Sequence, residues 1–506
     1  MRAIRTNGIT FAMPTYKDLF DWSMSALAIW RQARMWAHLA QPHPASLIQE
    51  VRFYMRFALQ FLQAPVRQLM LAFETHHPGA MIPGLNLVWL VQVLLFLPSS
   101  SDREETPMSF DVITVGGGLA GSTLATELAR AGYKALILER ATQFKDRVRG
   151  ENMLPWGVAA ARRLGIVDHL LASGAHQPPY WITYMGGNPV SSRDLHATTP
   201  HREASLNIYH PSMQKALLER ASVHGVEVKR GAKVLSLDAG PDRLPNVTFE
   251  HEGSRHTLTA RVVVGADGRA SQVRGWGGFE TQRNPDLLTI AGTLIAGTDV
   301  PDDAVHLAFG VGCATLLAPL GGRKARTYYV YPGVAGRRGL SGKDKTQEFI
   351  RLCQATGVPE SWFVGAESIG PLAEFDGADR WVESPVKNGV VLIGDAAASS
   401  DPSWGCGLSL TLLDVEHLAK ALCTSDDWSA ALNRYAEEHD EYSAALRRIL
   451  GWMTELTWTP GPEADERRGR VFPRMLSDPR GFPDSIGLGP FGPNDDQAKR
   501  LMLGLD

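Results

Sequence analysis

Gly116, Gly118 and Gly121 stand in GxGxxG spacing, and an acid, Glu139, follows 23 residues after the first of them. These types at this spacing suit the holding of a dinucleotide. Gly116 permits a tight turn, Gly118 lets backbone approach a pyrophosphate, and Gly121 lets a helix pack closely on a strand. Glu139 is placed to accept hydrogen bonds from an adenosine ribose. The spacing alone is weak evidence, so its frame decides. Val112, Ile113 and Val115 predict a short buried parallel strand before the glycines. Residues 122–131 predict a helix that Gly132 closes, with free N–H groups and partial positive charge at its N-terminus. Residues 135–138 form a second apolar run ending on Glu139. An ordinary glycine-rich turn would lack this surrounding strand, helix, strand and acid.

Two further stretches carry the residue types of a ligand site. Residues 261–265 predict a third buried strand, leading into Ala266-Asp267-Gly268-Arg269. Residues 390–393 predict another, ending on Gly394-Asp395, with a helix to follow over about 408–423. Standing alone, Asp395 would read as a helix cap. Arg149-Gly150-Glu151 is a charged knot after the second strand, and its plainest reading is a solvent-facing turn. Cys313, Cys353, Cys406 and Cys423 show no CxxC or zinc spacing, and no metal is expected. Scattered cysteines fit a reducing cytoplasm.

Periodicity gives the elements that must position these residues. Pro155 and Gly157 lead into a helix ending near Gly165, and residues 208–221 predict an amphipathic helix with Met213, Leu217 and Leu218 on one side. Residues 226–228 and 234–237 predict strands, and 247–250 with 257–259 a hairpin. Over 287–332, runs such as LLTIAGTLIAG and ARTYYVYP predict a sheet with one covered face, in a second, mostly antiparallel domain inserted into the first. Residues 428–453 are helical. The tail from Pro460, rich in proline and glycine, is expected to be irregular and to wrap the surface.

The 506 residues suffice for more than one domain. With 44% hydrophobic and 21% charged residues the composition is globular, and a formal charge of −3 gives no reason to expect nucleic acid. Residues 1–107 differ from the rest. Residues 26–40 and 47–73 predict amphipathic helices. The apolar run 81–97 is broken by Pro83 and Gly84, leaving it short of the roughly 20 residues of a membrane span. Three readings stay open: an extension making peripheral membrane contact, a partner-binding segment, or upstream sequence taken in through a misplaced start, with Met108 two residues before the first strand.

Together, GGGLAG with Glu139, VVGADGRASQVR ending at Arg274, and GDAAASSDPSWGCG ending at Gly407 resemble the fingerprints of flavoprotein monooxygenases of the para-hydroxybenzoate hydroxylase class. The resemblance covers residues 108 to about 425. It implies an α/β fold: a Rossmann-like FAD-binding domain (108–180, 205–280 and 385–425) with an inserted, mainly antiparallel β-sheet substrate domain (181–204 and 281–384). A C-terminal helical and irregular segment (426–506) follows. FAD would lie extended. Gly116, Gly118, Leu119, Ala120, Gly121 and Glu139 would hold its ADP half, with Arg140 beside it. Arg149 would reach the flavin or pyrophosphate, and Gln214 and Asp267-Gly268 would lie near the pyrophosphate. Asp395, after Gly394, would bond the ribityl chain, and Pro402, Gly405 and Gly407 would let backbone approach the isoalloxazine. A helix starting near Gly407 would aim its N-terminus at the flavin N1–C2=O edge.

The departures are specific. Ala398 stands where the family often has histidine, and His210 where arginine is usual. Arg149-Gly150-Glu151 is also similar to flavin-dependent halogenases and geranylgeranyl reductases, but the halogenase Trp-x-Trp-x-Ile-Pro signature is absent. There is no second GxGxxG, which suits NAD(P)H as a transient co-substrate. The expected activity is an FAD-dependent monooxygenase that hydroxylates an aromatic, quinone-like or polyketide-like small molecule with NAD(P)H and O₂. The alternatives are a flavin-dependent reductase or dehydrogenase of a lipid-like polyene, and a non-catalytic protein whose flavin is structural. No catalytic base can be named, because in this chemistry the flavin carries the reaction.

Overall fold

The computed structural model describes residues 4–6, 9–11, 110–285, 288–333 and 339–505. The helices expected over 26–40 and 47–73 and the apolar run 81–97 lie outside the described residues. The first unit of the chain, Met1–Arg103, is described by one antiparallel pair, Ile4–Thr6 with Ile9–Phe11. No described helix is long and apolar enough to cross a membrane.

In the second unit, Glu104–Asp506, Phe110–Val115 is the central strand. It pairs in parallel with Ala135–Glu139 on one side and with the end of Ser254–Gly265 on the other. Glu227–Arg230 and Val390–Leu392 extend this sheet outward, also in parallel. All but the edge strand Glu227–Arg230 are buried on both faces, as their apolar runs require. Alternate residues serve the two sides. Val112, Val262 and Val264 pack with Leu124, Leu128, Met213 and Leu412, from the helices Leu119–Arg130, His210–Val223 and Gly407–Cys423. Ile113, Leu136 and Val263 pack the other way, against Val234, Val247 and Phe249 of an antiparallel meander.

That meander corrects one expectation. The hairpin arm at 257–259 and the strand at 261–265 are a single element, Ser254–Gly265, whose first half pairs antiparallel with Arg243–His251. No glycine or proline divides the two halves, so the chain has nothing to bend it.

A second sheet runs Glu367–Ser368, Leu288–Ala296, Lys324–Pro332, Cys313–Gly321, Ala304–Gly310, Tyr180–Met185, Asn188–Asp194, with Ala373–Asp376 also on Leu288–Ala296. It is antiparallel except where Ala304–Gly310 meets Tyr180–Met185. One face, with Ala291, Ile295, Leu317 and Tyr329, packs on Phe349 and Trp362. The tail from Pro460 also differs from expectation. Pro462–Ser477 and Asp496–Leu503 are helices, and Val471, Phe482 and Met502 bury against Leu456. Pro462 sits in the first turn, where a missing N–H costs nothing, so that proline starts a helix instead of barring one.

Arg326, wholly buried on Lys324–Pro332, ties the second sheet to the loop that follows Ala135–Glu139. Its Nε donates to Glu151 Oε2 at 3.0 Å, and its Nη2 to Glu151 Oε1 at 2.9 Å and Asp146 Oδ2 at 2.8 Å. The amide of His210 adds a bond to Glu151 Oε1 at 2.8 Å. Glu151 is therefore fully buried, not part of a solvent-facing turn. Between the two acids Val148 holds φ +53°, a left-handed conformation costing a β-branched residue about 1–3 kcal/mol. Removing one partner of a buried ion cluster leaves uncompensated charge. Arg326→Met is expected to lose about 3–5 kcal/mol in chemical denaturation, with part recovered in Arg326→Met/Glu151→Gln. A loss below about 1 kcal/mol would count against the cluster.

Candidate functional site

A cleft of about 900 Å³ opens where the parallel strands end, lined by both sheets, near the top of the range of about 300–1,000 Å³ for small-molecule sites. At one end lie the three glycines. Gly116 takes φ +106°, and a side chain there would meet the Ala266 backbone. A Cβ on Gly121 would collide with the Gly116 carbonyl, so Gly121 serves helix–strand packing. Gly118 differs: its Cβ would find only Gln214 Nε2, 3.7 Å away. No side chain caps the first turn of Leu119–Arg130, so its amides stay available. Glu139 is pinned by amides, Oε2 from Gly117 at 2.7 Å and Oε1 from Ala141 at 2.6 Å.

All the expected site residues except Gly121 line this cleft. Two of them hold partners that the sequence did not reveal. Asp267 caps the turn Gln272–Trp276, accepting from Ser271 Oγ at 2.5 Å and the Gln272 amide at 2.7 Å. Gly394 donates its N–H to Asp414 Oδ2 at 2.6 Å, and Asp414 Oδ1 accepts from Tyr442 at 2.6 Å and faces His439 Nδ1 at 3.1 Å. This buried trio, from Gly407–Cys423 and Trp428–Trp458, fixes the backbone that presents Asp395. Burial raises the Asp395 carboxyl above the usual carboxylate range, against the pull of Arg149 and Arg269. His210, where arginine was expected, is held by desolvation down to about 4, and it bonds the Gly150 carbonyl. Ala398 is buried in the short strand Ala398–Ser399.

Asp376 forms a hub that no local signal announces. Arg269, Arg283 and Arg380 converge on its carboxylate. Ile290, Leu316, Tyr328, Val330 and Phe375 give that side of the cleft an apolar wall, with Tyr328 donating to the Arg149 carbonyl at 2.6 Å. Between the lining residues Ser400 and Pro402, buried Asp401 accepts from the Ser403 amide at 2.8 Å and donates its own amide to Asp379 Oδ1 at 2.7 Å.

Burial raises Asp401 from 3.8 to about 7. The folded state therefore holds a proton that the unfolded chain has released, and the difference lies between those two values. This contribution to stability is complete below the unfolded value and is lost as pH rises through 7. Asp401→Asn cannot titrate, so its unfolding free energy relative to wild type is expected to climb between about pH 4 and 7. A difference flat across that interval would contradict the shift.

Residues 109–449 match the FAD binding domain family. The chain is 26% identical over 345 residues to digeranylgeranylglycerophospholipid reductase 2 of Methanococcoides burtonii, covering 65% of this chain and 79% of that one. It is 28% identical over 374 residues to a rifampicin monooxygenase of Rhodococcus hoagii, covering 71% and 74%. Among solved structures, p-nitrophenol 4-monooxygenase PnpA from Pseudomonas putida superposes with a TM-score of 0.62 at 19% identity, over 73% of this chain and 94% of that one. With a glycine-framed cleft and a family match over more than half its length, the chain belongs to the FAD binding domain family.

Proposed function

We propose that the protein is an FAD-dependent monooxygenase that hydroxylates an electron-rich aromatic, quinone-like or polyketide-like molecule. The overall balance is substrate–H + NAD(P)H + H⁺ + O₂ to substrate–OH + NAD(P)⁺ + H₂O. The observation that carries this reading is the apolar wall of the second sheet, which lines one cleft together with Pro402, Gly405 and Gly407. Oxygen transfer needs water kept from the reacting atoms, and such an apolar wall would help to exclude it. The names of the rifampicin and p-nitrophenol enzymes support the same class of substrate.

The residues fit FAD. Side chains on Gly118 and Gly268 would project into nearly empty space, so their absence leaves a cradle for a pyrophosphate. Gln214 and the open first turn of Leu119–Arg130 supply donors to it. Glu139, with Arg140 beside it, would take the adenosine ribose, and Asp395 the ribityl hydroxyls. Arg149 and the backbone of Pro402, Gly405 and Gly407 would contact the ring. When bound, FAD supplies hydride acceptance and the activation of O₂. The helix Gly407–Cys423 would stabilise negative charge at its N-terminus, and Ile290, Tyr328 and Phe375, lining the same cleft, would help to exclude water. NAD(P)H visits transiently. The four cysteines are free thiols, which fits a reducing cytoplasm.

A second reading is a flavin-dependent reductase of a polyene lipid, favoured by the name of the methanogen relative. Oxygen separates the two. Incubation with ¹⁸O₂ is expected to put label into product; turnover under strict anaerobiosis without label would establish the reductase. The cofactor assignment has its own test. Gly118 has extended backbone that valine adopts freely. Gly118→Val is therefore expected to keep the fold by circular dichroism yet weaken FAD about a hundredfold or more in fluorescence titration. Normal FAD binding by that variant would remove the pyrophosphate assignment.

A further inference from the structure

Asn152 brings to the cleft a hydrogen-bond acceptor that no described residue uses. Its side chain is 5% exposed, it lines the cleft, and its Oδ1 is buried without a partner. Chemistry fixes which way the amide faces. Asn207 Nδ2 donates to the Pro319 carbonyl at 2.8 Å, and a carbonyl can only accept. Asn207 must therefore turn its Oδ1 toward Asn152, where it receives Nδ2 at 2.7 Å. What remains to Asn152 is a carbonyl oxygen, acceptor only. The pairing of Asn152–Met153 with Leu206–Asn207 holds both backbones. An acceptor buried and left empty is costly, so one locked by a chain of two amides is kept for something that enters.

Its position narrows what enters. A Cβ on Gly405 would lie 3.9 Å from Asn152 Oδ1. The acceptor thus stands beside Gly405, assigned above to the flavin ring, and the inference rests on that assignment. The oxidised isoalloxazine carries one N–H, at N3 between two carbonyls, and its other ring nitrogens and oxygens only accept. We infer that Asn152 recognises the flavin itself, its Oδ1 accepting the N3–H of the pyrimidine ring. The Asn152–Asn207–Pro319 chain sets the direction of that bond. A hydroxyl of the substrate is the competing donor.

The test replaces the donor. Full-length apoprotein is titrated with FAD and with 3-methyl-FAD, which lacks the N3–H, following flavin fluorescence. Wild type is expected to prefer FAD about tenfold, and Asn152→Leu, of similar shape but without an acceptor, to reduce that preference below about twofold by weakening FAD. Equal affinities in wild type, or a preference that Asn152→Leu leaves unchanged, would overturn the inference and hand the acceptor to the substrate. If neither flavin binds wild type, the assignment of the cleft to FAD itself has failed. A second measurement needs no variant. With FAD labelled with ¹⁵N at N3, the holoprotein is expected to show an N3–H protected from solvent exchange, and exchange as fast as in free FAD would refute the contact.

Discussion

The guanidinium of Arg326, wholly enclosed by protein, sets the terms for the rest of the structure. Removing a charge of this kind from water costs several kcal/mol, and only close, well-directed partners offset it. Desolvation opposes the charge, but the hydrogen bonds and negative charge of Glu151 outweigh it and hold Arg326 above its usual range. Burial in turn pushes Glu151 up, with Arg326 pulling it back. A hydrophobic pair could fill the same volume. It would not direct the loop, and direction is what Arg149 and Asn152 need, since both depend on where residues 146–152 run. The left-handed Val148 is tolerated because Asp146 and Glu151 are fixed on either side of it.

Electrostatics along the cleft follow a common pattern. Glu139 is met by two amides, Asp267 by two amides and a hydroxyl, and Asp376 by three guanidiniums. Each acid is thus compensated before any ligand arrives, so an anionic group entering the cleft would meet little bare negative charge. Asp395 is the exception: no described group hydrogen-bonds its carboxylate. Arg149 and Arg269 act on it only at a distance, and its oxygens are left for the hydroxyls of a ligand.

Much of this was legible in the sequence, and the reason is locality. GxGxxG works through backbone geometry within a few residues, and the strands around it repeat at short range. The helices His210–Val223 and Gly407–Cys423 lie within two residues of their expected starts for the same reason. What escaped depends on distant partners. Nothing near Glu151 shows that it will meet Arg326, 175 positions later. Asp414 gives no sign that it will support Gly394 from the next helix. Asn152 becomes visible only when Asn207 and Pro319 settle which end of its amide is free. The start of the tail escaped for another reason: Pro462 stands at the first position of a helix, where proline is tolerated.

The long strand Ser254–Gly265 has a consequence for how the chain is made. Its final residues are flanked on one side by Phe110–Val115, already synthesised, and on the other by Val390–Leu392. On a ribosome adding about 5–20 residues per second, the interval between Gly265 and Val390 lasts roughly 6–25 s. For that time an apolar strand edge stands open, inviting another chain to pair with it. The glycine-framed half of the cleft can form early, but Asp395 and its support from Asp414 come late. A nascent chain therefore completes the glycine-framed half of the cleft well before the half that presents Asp395, and the open edge is where a chaperone has the most to protect.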